Sequence, residues 1–122
     1  MKRSITPALA LAICLLSTSG ALAHAHLITE TPTADDVVVS SPTTLSLGFS
    51  VGLEIGLSGA TLKGADGQPI PTGTPVLAPG DDKQMSVPLN GPLAAGKYTV
   101  EWHAFSRDGH ATHGSYQFTI DP

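Results

Sequence analysis

Beyond residue 23 the chain is punctuated by glycine or proline about every eight to twelve residues, and the segments between alternate apolar and polar with a period of two. That period places every second side chain on one face of an extended strand, whereas on a helix it would scatter them around the axis. Leu45, Leu47 and Phe49 share one face of TTLSLGFS, Ala60 and Leu62 begin a second run, and Met85, Val87 and Leu89 form a third. Tyr98, Val100 and Trp102 point one way in KYTVEWHAFS, as do Tyr116, Phe118 and Ile120 in SYQFTI. Asp66-Gly67 and Asn90-Gly91 supply turns in which a positive φ costs little, and Pro42, Pro71, Pro79 and Pro92 stop central strands. Pro88 falls inside a run and predicts that its strand lies at a sheet edge. About seven short strands predict an all-β Greek-key sandwich; a small barrel is the other architecture this periodicity allows.

The first 23 residues follow a different logic. Lys2 and Arg3 form a positive n-region, Ala8 to Leu16 an apolar core, and Ala21-x-Ala23 the small residues a signal peptidase needs, which predicts Sec export and cleavage after Ala23. A retained anchor is the alternative, although the apolar stretch falls short of the roughly 20 residues that span a bilayer. Cys14 follows Ile13 inside the apolar core, where a lipoprotein signal would want a small residue. Residues 24–122 then form one domain of 99 residues with no cysteine, so its stability rests on packing in an oxidising, periplasmic compartment. Loss of Lys2 and Arg3 leaves four basic against ten acidic residues, a net charge of −6, which argues against nucleic acid as a partner. Without thiolate, the available metal ligands are imidazole, carboxylate and amine, which suit Cu(II), Ni(II) or Zn(II) more than Cu(I). Met85 is the one thioether in this segment, so no methionine-rich Cu(I) site is expected.

All five histidines lie past the predicted cleavage point: His24, His26, His103, His110 and His113. Cleavage makes His24 an N-terminus, whose α-amine and imidazole Nδ1 can chelate one ion in a six-membered ring. Asp108-Gly109-His110 sets a carboxylate and an imidazole two residues apart, within reach of the same ion if the segment is extended. Together they would offer two or three nitrogens and an oxygen in a roughly planar set, a geometry that selects Cu(II), and one ion is expected. Two simpler readings compete. Asp-Gly is ordinary turn chemistry, and His24-Ala25-His26 could bind Cu(II) or Ni(II) as a flexible tail, through the amine, two deprotonated amides and the His26 imidazole. The assembled site is favoured, with His26 as a supporting or occasional ligand. His113 is either a further ligand or a polar loop residue. His103 alternates with Trp102 and should face away from the core, while Trp102 should fill it.

No G-x-S-x-G, reactive cysteine, acid/base carboxylate pair or phosphate loop is present in the sequence. The opening HAHLITETPTADD, the strand TLSLGFS followed by SGATL, and the closing LAAGKYTVEWHAFSRDGHATHGSYQFTI resemble the CopC family of periplasmic copper-binding proteins. The resemblance implies an immunoglobulin-like, cupredoxin-like Greek-key domain that binds Cu(II) for copper resistance or uptake, alongside a CopD-type membrane protein. It also implies His24, Asp108 and His110 as the copper ligands. Members often carry a glutamate where this chain has Val51, after Phe49-Ser50, so one family carboxylate is missing; Glu54 is a partial substitute or a solvated strand end. The expected protein is a monomeric, non-enzymatic carrier. A terminal-histidine copper monooxygenase and a structural sandwich with incidental histidines are the alternatives.

Overall fold

Residues 24–122 are described by a computed structural model; the predicted signal segment and Cys14 lie outside the described residues. Nine strands follow one another, β1 (Leu27–Thr31), β2 (Val37–Val38), β3 (Thr44–Phe49), β4 (Gly59–Lys63), β5 (Pro69–Ile70), β6 (Val76–Ala78), β7 (Asp81–Pro88), β8 (Gly96–Phe105) and β9 (Ala111–Ile120), with a 3-10 turn at Ile55–Leu57. They form two sheets, ordered β1-β3-β7-β6 and β2-β9-β8-β4-β5, and the chain passes repeatedly from one to the other. The architecture is therefore a sandwich and not a closed barrel. The count exceeds the expected seven because β2, β5 and β6 are two or three residues long, too short to show a period.

The predicted inward faces meet between the sheets. Leu45 and Leu47 of β3 and Met85 and Val87 of β7 are fully buried against Leu62, Val100 and Phe118 from the opposite sheet. Each such side chain contributes roughly 1.5–3 kcal/mol relative to exposure, which lets the domain stand without a disulfide. Tyr98 and Phe118 stack with ring centroids 5.5 Å apart. Trp102 sits at the margin of this core and not at its centre: it is partly buried and meets Phe49 edge-on at 5.3 Å.

The edge-strand expectation from Pro88 is corrected. β7 is an interior strand between β3 and β6, and Pro88 is its last residue, opposite Thr44. The ladder to β3 continues past it, with Leu89 N donating to the Thr43 carbonyl at 2.9 Å, and the Pro88 backbone faces the other side, where its carbonyl accepts from Gly73 N at 2.7 Å.

Gly114 of β9 lies opposite Trp102 in the β8–β9 ladder. A Cβ at this position would come within 2.6 Å of Trp102 Cζ2. Gly114→Ala is therefore expected to cost about 1–3 kcal/mol through forced displacement of the indole, read as a lowered urea midpoint with unchanged slope.

Candidate metal centre

The β8–β9 ladder closes at the Phe105–Ala111 pair, and the residues between, Ser106 to His110, form the turn that carries the Asp-Gly-His triplet. Ser106 N donates to the His110 carbonyl at 2.9 Å, and Gly109 N donates to the Ser106 carbonyl at 2.9 Å. Gly109 makes this reversal with φ +95°, a conformation that side chains resist. Ser106 is fully buried, and its hydroxyl lies 3.2 Å from His110 N and bonds Asp108 Oδ1. One small side chain thus joins the turn backbone to the carboxylate. Arg107 ties the same turn to the other sheet: its N donates to the Gly52 carbonyl at 3.0 Å, and its Nε pairs with Asp82 Oδ2 at 3.2 Å.

Asp108 Oδ1 also lies 3.2 Å from His110 Nδ1. The Ser106 hydroxyl, and after it the His110 ring, hold the Asp108 carboxyl below its usual range. Asp108 therefore remains a carboxylate through the mildly acid range.

The second half arrives from the other end of the described chain. Ala25 is buried in the core, and its carbonyl accepts from Thr112 Oγ1 at 2.8 Å. Ser50, just past the end of β3, grips the residues on either side. Its hydroxyl accepts from His26 N at 2.9 Å and donates to the His24 carbonyl at 3.3 Å, and its own N donates to the His26 carbonyl at 2.9 Å. The residues ahead of β1 are accordingly docked, and the His24 ring packs on the His110 ring with centroids 4.8 Å apart and planes inclined by 52°.

The structure thus brings His24, His110 and Asp108 together as two consecutive contacts, with His110 in the middle. Among the described residues, no three His, Cys, Asp or Glu side chains already converge on one point. This arrangement belongs to the uncut chain, in which the residue 24 nitrogen is a peptide amide and one Asp108 oxygen is engaged by Ser106 and His110. His26 is exposed, its backbone engaged by Ser50. His113 stands elsewhere: it pairs with His103 across β8 and β9, and both are exposed, bordering a shallow depression with Glu101 and Ser115. Val51 packs against the core, as a valine should, and offers no carboxylate. Met85 lies fully buried between the sheets.

Ser50, Thr112, Ser106 and the Arg107–Asp82 pair position the ligand candidates, and the sequence did not mark them. Serine and threonine beside strands and turns are too common to stand out, and their partners lie 26 and 87 residues away in the case of Ser50–His24 and Thr112–Ala25.

The fold is that of a small β-sandwich domain carrying a histidine pair and a carboxylate at one end. The CopC domain model matches residues 27–121, and the chain belongs to the CopC family of copper-binding, copper-resistance proteins. It is 42% identical over 118 residues to Protein YobA of Escherichia coli strain K12, covering 97% of this chain and 95% of that protein. Among solved structures it resembles CopC from Methylosinus trichosporium OB3b, with a TM-score of 0.76 and 29% identity over 81% of this chain and 95% of that one. It likewise resembles PcoC, described as a methionine-rich copper resistance protein from Escherichia coli, with a TM-score of 0.71 and 35% identity over 81% of this chain and all of that one.

Removing the Ser106 hydroxyl should release the carboxylate it holds. Ser106→Ala is expected to raise the Asp108 pKa toward its usual 3.8, measured by carboxyl-carbon NMR titration. The depressed folded value means that the Asp108 contribution to stability is present above the ordinary carboxylate pKa and is lost as pH falls through the folded one. In Ser106→Ala that contribution should be smaller and its loss complete at a higher pH; an unchanged Asp108 titration would contradict the assignment.

Proposed function

We propose that this protein is a periplasmic carrier of one Cu(II) ion, exported by the Sec pathway, cut after Ala23, and acting in copper resistance or homeostasis as a monomer. The observation that carries the reading is the packing of the His24 ring on the His110 ring, beside a carboxylate held ionised at Asp108. Cleavage would turn the residue 24 nitrogen from an amide into an amine and complete a chelate with its own imidazole. His110 Nδ1 faces Asp108, which leaves Nε2 to the ion and fixes the ring's orientation. An ion on Nε2 and a carboxylate on Nδ1 lie on opposite sides of the ring, so Asp108 becomes a ligand to the same ion when its contact with His110 Nδ1 opens. Nitrogen-rich ligation of this kind favours Cu(II) over Zn(II) and Ni(II) by the general affinity order of divalent ions.

The role is carriage and not catalysis, with transfer to a CopD-type membrane protein as the route of delivery. Membership of a copper-resistance family supports the cargo, and the absence of a nucleophile or acid/base pair from the sequence fits a carrier.

The test uses protein exported with its own leader, its N-terminus read by mass spectrometry, and titrated with Cu(II) against a competing chelator. Tight one-to-one binding is expected. One residue inserted ahead of His24 should weaken it by orders of magnitude, because the amine leaves the chelate, and His110→Ala should weaken it by at least roughly tenfold, the equivalent of about 1.4 kcal/mol. Wild-type protein without tight binding, or an insertion variant with unchanged affinity, would overturn the reading.

A further inference from the structure

The terminus His24-Ala25-His26 can in principle hold Cu(II) in a second way that needs no other part of the domain. The amine, the deprotonated amides of residues 25 and 26 and the His26 imidazole would wrap one ion in a plane, releasing two amide protons to solvent. The folded domain holds this segment in a form that opposes such wrapping. The His26 N–H is donated to Ser50 Oγ at 2.9 Å, the very proton a tail chelate must remove. The carbonyls of all three residues are held as well, His24 by Ser50 Oγ at 3.3 Å, Ala25 by Thr112 Oγ1 at 2.8 Å and His26 by Ser50 N at 2.9 Å. Ala25 is 1% exposed, so curling the segment around an ion would pull it out of the core.

We infer that Ser50 and Thr112 are specificity-determining residues that hold the terminus in the assembled Cu(II) site with His110 and suppress a four-nitrogen tail chelate for Cu(II) or Ni(II). The inference rests on the reading that cleavage frees the His24 amine. It adds that undocking of residues 24–26 moves the ion from one ligand set to the other while the amine stays bound throughout, so the docking contacts decide where the copper sits.

The experiment is electron paramagnetic resonance and visible absorption of exported protein, cut at residue 24, with one equivalent of Cu(II). Wild type should show the assembled form. Ser50→Ala should show growth of a form with four in-plane nitrogens, whose stronger ligand field moves the d–d band to shorter wavelength. Loss of a hydrogen bond at the upper end of the ordinary range corresponds to a shift in the ratio of the two forms of roughly tenfold. Thr112→Val, which keeps the side-chain volume, should act in the same direction and serves if Ser50→Ala does not fold. Ser50→Thr should restore the wild-type spectrum, and His26→Ala added to Ser50→Ala should abolish the new form.

Folded Ser50→Ala and Thr112→Val proteins with the wild-type spectrum would overturn the inference alone. A wild-type protein already in the four-nitrogen form would overturn the inference and the assembled site with it. Wild-type protein that binds no copper tightly would overturn the functional reading and this inference together.

Discussion

The ladder between β8 and β9 is the constraint on which the rest of the molecule depends. Its ten registered pairs, from Gly96–Ile120 to Phe105–Ala111, make the spine of the larger sheet and supply several of the buried side chains. Register also fixes what happens at its end. Because Phe105 pairs with Ala111, the five residues between must reverse direction at a set place, and the Asp-Gly-His triplet is the content of that reversal. A slip of one residue would turn the core face of one strand outward, Val100 on β8 or Phe118 on β9, and carry Asp108 and His110 away from His24.

The ligand candidates are exposed or partly so, but the groups that position them are buried or bound to backbone. Ser106 reads as an ordinary turn serine until its hydroxyl is seen to connect the His110 amide with the Asp108 carboxylate. Ser50 and Thr112 act the same way on the N-terminal residues, and Ala25 anchors them with a methyl group small enough to enter the core. Hydrogen bonds of this kind contribute only about 0.5–1.5 kcal/mol each, so the four acting on this short segment work together to keep it docked against its own conformational entropy. The Arg107–Asp82 pair is exposed enough to add little stability, and its geometry serves to tie the turn to β7.

The inward faces of β3, β7, β8 and β9 were legible in the sequence because alternation over six or more residues leaves few alternatives. The three shortest strands were not, since two or three residues carry no period and are held by their neighbours in the sheet. Pro88 misled because a proline inside an apolar run resembles one at its end, and only the paired partner, Thr44, distinguishes them. At the site, chemistry marked His24, Asp108 and His110, while the separation of His113 from them required the phase of β9. That phase turns Thr112 toward the N-terminal segment and leaves His113 beside His103 on the exposed face.

In the proposed copper site the ion joins the two ends of the processed domain, so it should bind the folded state and stabilise it. This is measured most directly as the urea midpoint of processed His26→Ala protein, in which the unfolded chain lacks the tail chelate, with free Cu(II) buffered at one hundred times the dissociation constant. Binding to the folded state alone predicts a gain of about 2.7 kcal/mol. An unchanged midpoint, with copper still bound at one equivalent, would mean that the ion is held without joining the two ends and would contradict the account.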